Sequence, residues 1–284
     1  MDIEKIINDV ELLKPVSHIG NKTMEIVSNP DSSLNDIVNV IKYDQGMTAN
    51  LLRTCNSSYF GLRKEIVSVK QAVAYLGIEK VACLIMMGNH SGNFREDHSG
   101  YDLNEGELWR YSVSSALIAQ DLAEKKNLAN TSSLFTSALL KDIGKVILNT
   151  YMKDASDDIK ARVIDKGLTF IEAEKEIFGI DHAELGAKVA EKWNFNSTMV
   201  DIIRNHHNPE RSSSTDLSLP IIYLADSICM MIGVGVGVDG LAYRYQQDIV
   251  DKLNISDIDL QKTIADFWEN LKSIEELVNL SGGN

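Results

Sequence analysis

The sequence predicts an all-α protein of two packed helical modules. Apolar residues recur at helical steps of three and four along most of the chain, cap-like residues punctuate those stretches, and one long polar run separates two sets of helices. That run, 89–106, is glycine-containing and weakly patterned, and it divides the chain into modules at 1–105 and 106–284.

In the first module Ile3, Ile6, Ile7 and Val10 mark one helical face, and Pro15 follows where the helix should stop. Ser33 stands as an N-cap with Asp36 three residues on, ahead of Leu34, Ile37, Val38 and Ile41. Asp44 to Gly46 reads as a turn, and Met47, Leu51, Leu52 and Cys55 form the next stripe. Val69, Ala72, Val73 and Leu76 form another, closed by Gly77 at a C-terminal cap position, and a last run from Ile78 to Met87 ends at Gly88. No catalytic side chains cluster here, so this half reads as a scaffold or partner-binding unit.

In the second module Trp109 precedes the stripe Val113, Ala116, Ala119 and Ala123. The run Phe135 to Leu148 carries Lys141, Asp142 and Lys145 between apolar turns, and Gly144 reads as its turning point. A charged helical region from Asp157 to Lys166 follows. Next, His182, Leu185, Gly186, Val189 and Trp193 share a face behind a capping pair of Asp181 and Glu184. Met199, Ile202, Ile203 and His206 share another with His207 at its edge, and Asp226 falls among Ile222, Ala225 and Cys229. The glycine string from Gly233 to Gly240 lacks the flanking strand, helix and Lys-Ser/Thr of a phosphate loop and reads as a flexible connector. Leu260, Ile264, Phe267, Leu271, Ile274 and Val278 repeat in steps of four and three; the run offers a homodimer seam, and docking of a terminal helix on its own domain is the commoner outcome.

Composition bounds the function. A net charge of −13 over 284 residues argues against a nucleic-acid backbone as the main partner. No apolar run approaches the roughly 18 residues of a membrane span, and the first residues do not form a signal peptide, so a cytoplasmic location without membrane attachment is expected. The three cysteines, Cys55, Cys83 and Cys229, lie far apart without a CxxC pair and suggest neither disulfides nor a thiolate zinc site.

Asp142, His182, His206, His207 and Asp226 are the polar residues that helical geometry sends inward in the second module. Taken singly, a histidine on an apolar face is usually a satisfied core residue and an aspartate at a helix end a cap. Together they offer the oxygen and imidazole donors with which two-metal hydrolases hold ions that activate water and clamp phosphate.

The run from 43 to 61, YDQGMTANLLRTCNSSYFG, followed from 67 by VSVKQAVAYLGIEKV, resembles the amino-terminal half of the HD-related output domain, HDOD, of bacterial signalling proteins. The resemblance implies a second half built as a degenerate HD-type phosphohydrolase bundle. In catalytic HD proteins an early histidine, a His-Asp pair, further histidines and a late aspartate surround the metals. Against that pattern the early histidine falls on Tyr111 and the His of the His-Asp pair on Lys141, while Asp142, His182, His206, His207 and Asp226 remain as a residual metal set. Lys145 matches the lysine that in the family often contacts substrate phosphate.

A neutral phenol is a poor metal ligand and an ammonium has no lone pair to offer, so two nitrogen ligands are lost. The expectation is that Lys141 stands in electrostatically for a metal by pairing with Asp142 or Asp226. The resemblance thus implies a non-catalytic signalling module acting through a protein partner, with a small phosphate or nucleotide ligand as a candidate for the pocket. No cofactor is expected; if one is held, it is a divalent transition metal, Mn, Fe, Ni or Zn. The alternatives are a polar network without a ligand, a single metal on His182, His206, His207 and Asp226, and a metal-dependent phosphohydrolase or cyclic-nucleotide phosphodiesterase with an altered site.

Overall fold

The computed structural model describes residues 97–128, 131–192, 195–235, 237 and 246–280 and, nearer the amino terminus, 31–41, 51–52, 54–56, 66–78 and positions 6, 22, 23, 26, 29, 48, 81 and 84; side chains are described except at 131–133 and 270–280. Among the described residues regular structure is helical, apart from one isolated bridge between His98 and Leu103. The chain is all-α, as the spacing predicts. It forms two compact units, one of residues 14–93 with 265–284 and one of residues 1–13 with 94–264. The sequence expectation of 1–105 and 106–284 follows position along the chain, whereas compactness draws both chain ends across that line.

In the smaller unit α1 (Leu34–Ile41) and α2 (Val69–Leu76) share a core that includes Ile37, Ile41, Leu51, Cys55, Val69 and Val73. The first start carries the Ser33 and Asp36 pair read from the sequence, and the second has a cap at Ser68 that the sequence reading did not single out. Ser33 donates from its backbone N and its Oγ to Asp36 Oδ2 at 2.8 and 2.7 Å, and Ser68 Oγ accepts from the Gln71 amide at 3.2 Å. Gly77 ends α2 with φ +83°, a conformation that side chains disfavour. The turn expected at Asp44 to Gly46, Cys83 and Trp193 lie outside the described residues.

The larger unit is a bundle around α3 (Glu107–Lys125), which is buried over most of its circumference and packs on α4 (Thr131–Leu140). A two-residue turn, Lys141 and Asp142, leads into α5 (Ile143–Lys166). The apolar start and the charged stretch 157–166 are thus one helix, ended by Gly167 at φ +66°. There follow α6 (Phe170–Phe178), α7 (His182–Lys192), α8 (Ser197–Asn205) and α9 (Ser218–Met231). A short α10 (Gln247–Asp251) precedes α11 (Asp257–Leu280).

Caps set where these helices begin. Thr169 and Glu172 form a reciprocal capping box on α6, and Asp181 Oδ1 accepts from the Glu184 amide at 2.8 Å. Asn196 Oδ1 accepts from the Met199 amide at 2.8 Å, fixing the start of the helix that delivers His206. Asn196→Ala is expected to cost about 1 kcal/mol, read as a lower midpoint in urea unfolding.

Three glycines behave differently from the sequence expectation. Gly144 is not a turn but lies in the first turn of α5, where an added Cβ would overlap the backbone carbonyl of His182 and come 2.8 Å from the Gly186 amide. It is glycine because α5 and α7 meet there backbone to backbone. Likewise the described part of the glycine string is a packed segment: a Cβ on Gly235 would come 2.9 Å from the Glu107 carbonyl, and one on Gly237 would overlap the Tyr101 carbonyl. Cys55 and Cys229 are buried free thiols. In α11, Thr263 Oγ1 reaches Asp121 Oδ2 at 2.8 Å; of the six residues read as a dimer seam Phe267 is buried, and the side chains of Leu271, Ile274 and Val278 lie outside the described set.

Candidate functional site

The α4–α5 turn places Lys141 and Asp142 in the middle of the larger unit, and the close approach at Gly144 brings the start of α7 against it. Asp142 occupies the N-cap position of α5 but makes no side-chain cap. Its carboxylate is spent on cations instead. Oδ2 pairs with the Lys141 ammonium in a short contact, and Oδ1 lies 2.9 Å from the Lys145 ammonium. Lys141 also reaches Asp226 Oδ1 at 2.7 Å and lies 4.5 Å from the Tyr111 ring centroid. Tyr111 donates its hydroxyl to the same Asp226 oxygen at 2.5 Å.

All of these side chains are buried, so charge balance decides their states. Burial pulls the Lys141 ammonium towards the neutral form, but Asp142 and Asp226 outweigh it and its pKa is raised. Burial would likewise raise the Asp142 carboxyl; Lys141 and Lys145 instead hold it well below the usual range. Burial, followed by the repulsion of Asp226 and Asp142, holds the Tyr111 phenol well above its ordinary value. Tyr111 therefore stays a hydrogen-bond donor, and Lys141 is a cation shared by two carboxylates rather than by one of them.

On the other side of Asp142 stand the histidines. His182 Nε2 and His206 Nε2 are 3.6 and 3.9 Å from Asp142 Oδ1, and His182 Nε2 lies 2.9 Å from His207 Nε2. Asp142, His182, His206 and His207 each offer one donor atom, all within 4.8 Å of one another, a group that could hold a metal ion. Asp226 is not part of this group; its Oδ1 is bound by Lys141 and Tyr111. The residues singled out in the sequence thus fall into two halves that share Asp142.

Two further residues complete the site. Glu174, buried on α6, accepts from the His182 backbone at 3.0 Å and lies 2.7 Å from His182 Nδ1, while its other oxygen accepts from the Tyr101 hydroxyl at 2.7 Å. Burial lowers the His182 pKa, but Glu174 outweighs it and the net shift is upward. The sequence held a signal for Glu174, an acid among the buried Phe170, Ala173 and Phe178 at helical spacing. Tyr101 lies in the 89–106 stretch read as a junction; it is buried, and Gly100 in the same turn donates to Asn149 Oδ1 at 3.1 Å.

The donor set fits a divalent transition metal. His206 donates Nδ1–H to the Ile203 carbonyl at 2.8 Å, which leaves Nε2 as the lone-pair nitrogen, and that atom is buried without a hydrogen-bond partner. Burial pushes the His206 pKa down to about 4, so the ring is neutral at neutral pH. An imidazole held through Nδ1 with Nε2 bare is the arrangement of a metal-ligating histidine.

A helical bundle whose core holds such a carboxylate and histidine cluster is the architecture of an HD-type protein. The HDOD domain model matches residues 13–209, and the chain belongs to the HDOD family. A solved HDOD domain protein of unknown function from Geobacter sulfurreducens is 24% identical with a TM-score of 0.74, covering 98% of both chains. A candidate signal transduction protein from Marinobacter aquaeolei is 18% identical with a TM-score of 0.78, over 97% of this chain and 61% of that one. A candidate phosphohydrolase from Shewanella amazonensis is 21% identical with a TM-score of 0.74, over 98% of each. These are likenesses of fold. An uncharacterized protein of Treponema pallidum is 27% identical over 206 residues, 68% of this chain, and the match spans 38% of that relative's length. No helix of the described residues is long and apolar enough to cross a membrane.

Proposed function

We propose that this chain is a non-catalytic regulatory HDOD module that acts through a protein partner. The observation that carries the reading is the Lys141 ammonium, buried between Asp142 and Asp226. In catalytic HD proteins those carboxylates face metal; here the cation between them is covalently part of the chain, has no open coordination position and cannot activate water. Tyr111 supports the reading further, since its protonated hydroxyl caps Asp226 where a histidine ligand would stand. A small phosphate or nucleotide ligand next to Lys145 belongs to the same proposal as a signal rather than a substrate.

The opposing reading, a phosphohydrolase working with an altered site, draws on the intact cluster of Asp142 and three histidines. A divalent ion there would supply Lewis-acid polarisation of a phosphate oxygen. The two separate in one assay. The 284-residue chain supplied with manganese or iron is expected to show no turnover of cyclic nucleotides or phosphomonoesters above the metal-only blank. Metal-dependent turnover that disappears in Asp142→Ala and His182→Ala would replace the regulatory reading with the enzymatic one.

A further inference from the structure

We propose that the turn 97–103 is a gate to the buried site: Tyr101 closes it beside Lys145 and His182, the bond from the Tyr101 hydroxyl to Glu174 is the latch, and a small phosphate ligand enters when the turn swings out. The ligand is the one named in the regulatory reading, on which the proposal rests; the gate is its way in.

Burial makes a gate necessary. Asp142, Lys145 and His182 are each 1% exposed, so nothing the size of a phosphate reaches the Lys145 ammonium in the closed arrangement. Tyr101 stands beside them. Its ring centroid is 5.8 Å from the Lys145 ammonium and 6.4 Å from that of the His182 ring, which it meets at 90°, and Phe170 packs on it at 5.7 Å. An aromatic ring within about 6 Å of an ammonium attracts it electrostatically and stands where water or an anion would otherwise be. In the closed state Tyr101 is thus an internal occupant of the position that the ligand takes.

The turn is able to move as one piece. Its His98 carbonyl accepts from the Tyr101 and Leu103 amides at 2.8 and 3.2 Å, its Leu103 carbonyl from the His98 amide at 3.0 Å, and its Ser99 carbonyl from the Asp102 amide at 3.1 Å. All four of these bonds lie within the turn and survive its displacement. Side chains tie it to the helices instead. The Tyr101 hydroxyl donates to Glu174 Oε1 at 2.7 Å, the Gly100 amide to Asn149 Oδ1 at 3.1 Å, and Asn149 Nδ2 to the Asp97 carbonyl at 3.0 Å.

Two glycines let it seat closely. A Cβ on Gly100 would come 2.5 Å from Met152 Cβ on α5, and one on Gly237 would overlap the Tyr101 carbonyl. Opening is opposed by the burial of His98, Tyr101 and Leu103, which keeps the gate shut in the resting protein. The turn also follows shortly after residue 93, where the chain leaves the smaller unit, so its displacement is passed along the chain.

The test follows amide hydrogen exchange of the 284-residue chain by NMR, together with its binding of inorganic phosphate alone. The amides of Gly100, Tyr101 and Leu103 are expected to exchange by local opening, faster than those of α3 and with little dependence on added urea. Tyr101→Phe removes the latch, and Asn149→Ala removes two ties without touching the site. Each is expected to speed the turn amides at least about tenfold and to leave α3 unchanged. Because the ligand binds the open form, each should tighten phosphate binding by the same factor. Turn amides that exchange as slowly as α3, with the same urea dependence, overturn the gate. So does faster opening without a matching gain in phosphate affinity, or no uptake of phosphate by any of the three proteins. Should Tyr101→Phe loosen α3 as well, Asn149→Ala decides by the same criterion. Turnover of phosphomonoesters removes the regulatory reading and leaves the gate, whereas exchange of the turn only through global unfolding removes the gate and leaves the reading.

Discussion

Lys141→Met is expected to destabilise the larger unit by about 3–5 kcal/mol, towards the lower figure, measured as the loss in unfolding free energy in urea. Methionine nearly matches the lysine stem in volume, so the loss is one of charge. Removal of one partner of a buried ion pair leaves its counterpart in a low-dielectric interior, and here two counterparts are left, Asp142 and Asp226. Lys145 still faces Asp142 and the Tyr111 hydroxyl still donates to Asp226, which tempers the effect. Asp226→Asn added to Lys141→Met is expected to recover part of the loss, because it removes a charge that the first change strands. A Lys141→Met protein as stable as the native one would mean that the ammonium neutralises nothing.

Gly144→Ala is expected to lose up to about 2 kcal/mol net, although helix propensity alone predicts a gain of about 1 kcal/mol inside a helix. The opposing effect is larger because the new methyl would overlap the His182 carbonyl, a backbone atom that cannot rotate away. To admit it, α5 and α7 must separate, and overpacking of this kind typically costs about 1–3 kcal/mol before the propensity gain is subtracted. The same separation would move His182 away from Asp142, so cobalt affinity should fall together with the thermal midpoint. A midpoint at or above the native one would show that the two helices slide apart freely.

Much of the fold was legible because it rests on local signals. Ser33 with Asp36, Gly77, Asp181 with Glu184 and the apolar stripes of α7 and α8 all read correctly from spacing and cap chemistry. The inward direction of Asp142, His182, His206 and Asp226 followed from helical period alone. What the period could not supply was which side chains meet across helices. Lys141 pairs with both aspartates rather than with one, and Asp142 rather than Asp226 joins the histidines, because the α4–α5 turn and the α5–α7 contact fix distances that no spacing encodes. Gly144 was misread for the same reason. A glycine beside charged residues looks like a turn until the second helix that needs its missing Cβ is in view. Glu174 was legible in principle, but a buried acid on an apolar stripe gains its meaning only when His182 is known to lie against it.

The claim on which the rest depends is that the Lys141 ammonium occupies a cation position, and the metal content of a restored site tests it most directly. Tyr111→His with Lys141→His returns the two missing imidazoles beside Asp142 and Asp226. Under equal loading with cobalt or manganese, the native chain is predicted to hold one ion and the double variant two. A native chain that already binds two ions, or a folded double variant that binds no more than the native protein, would contradict it.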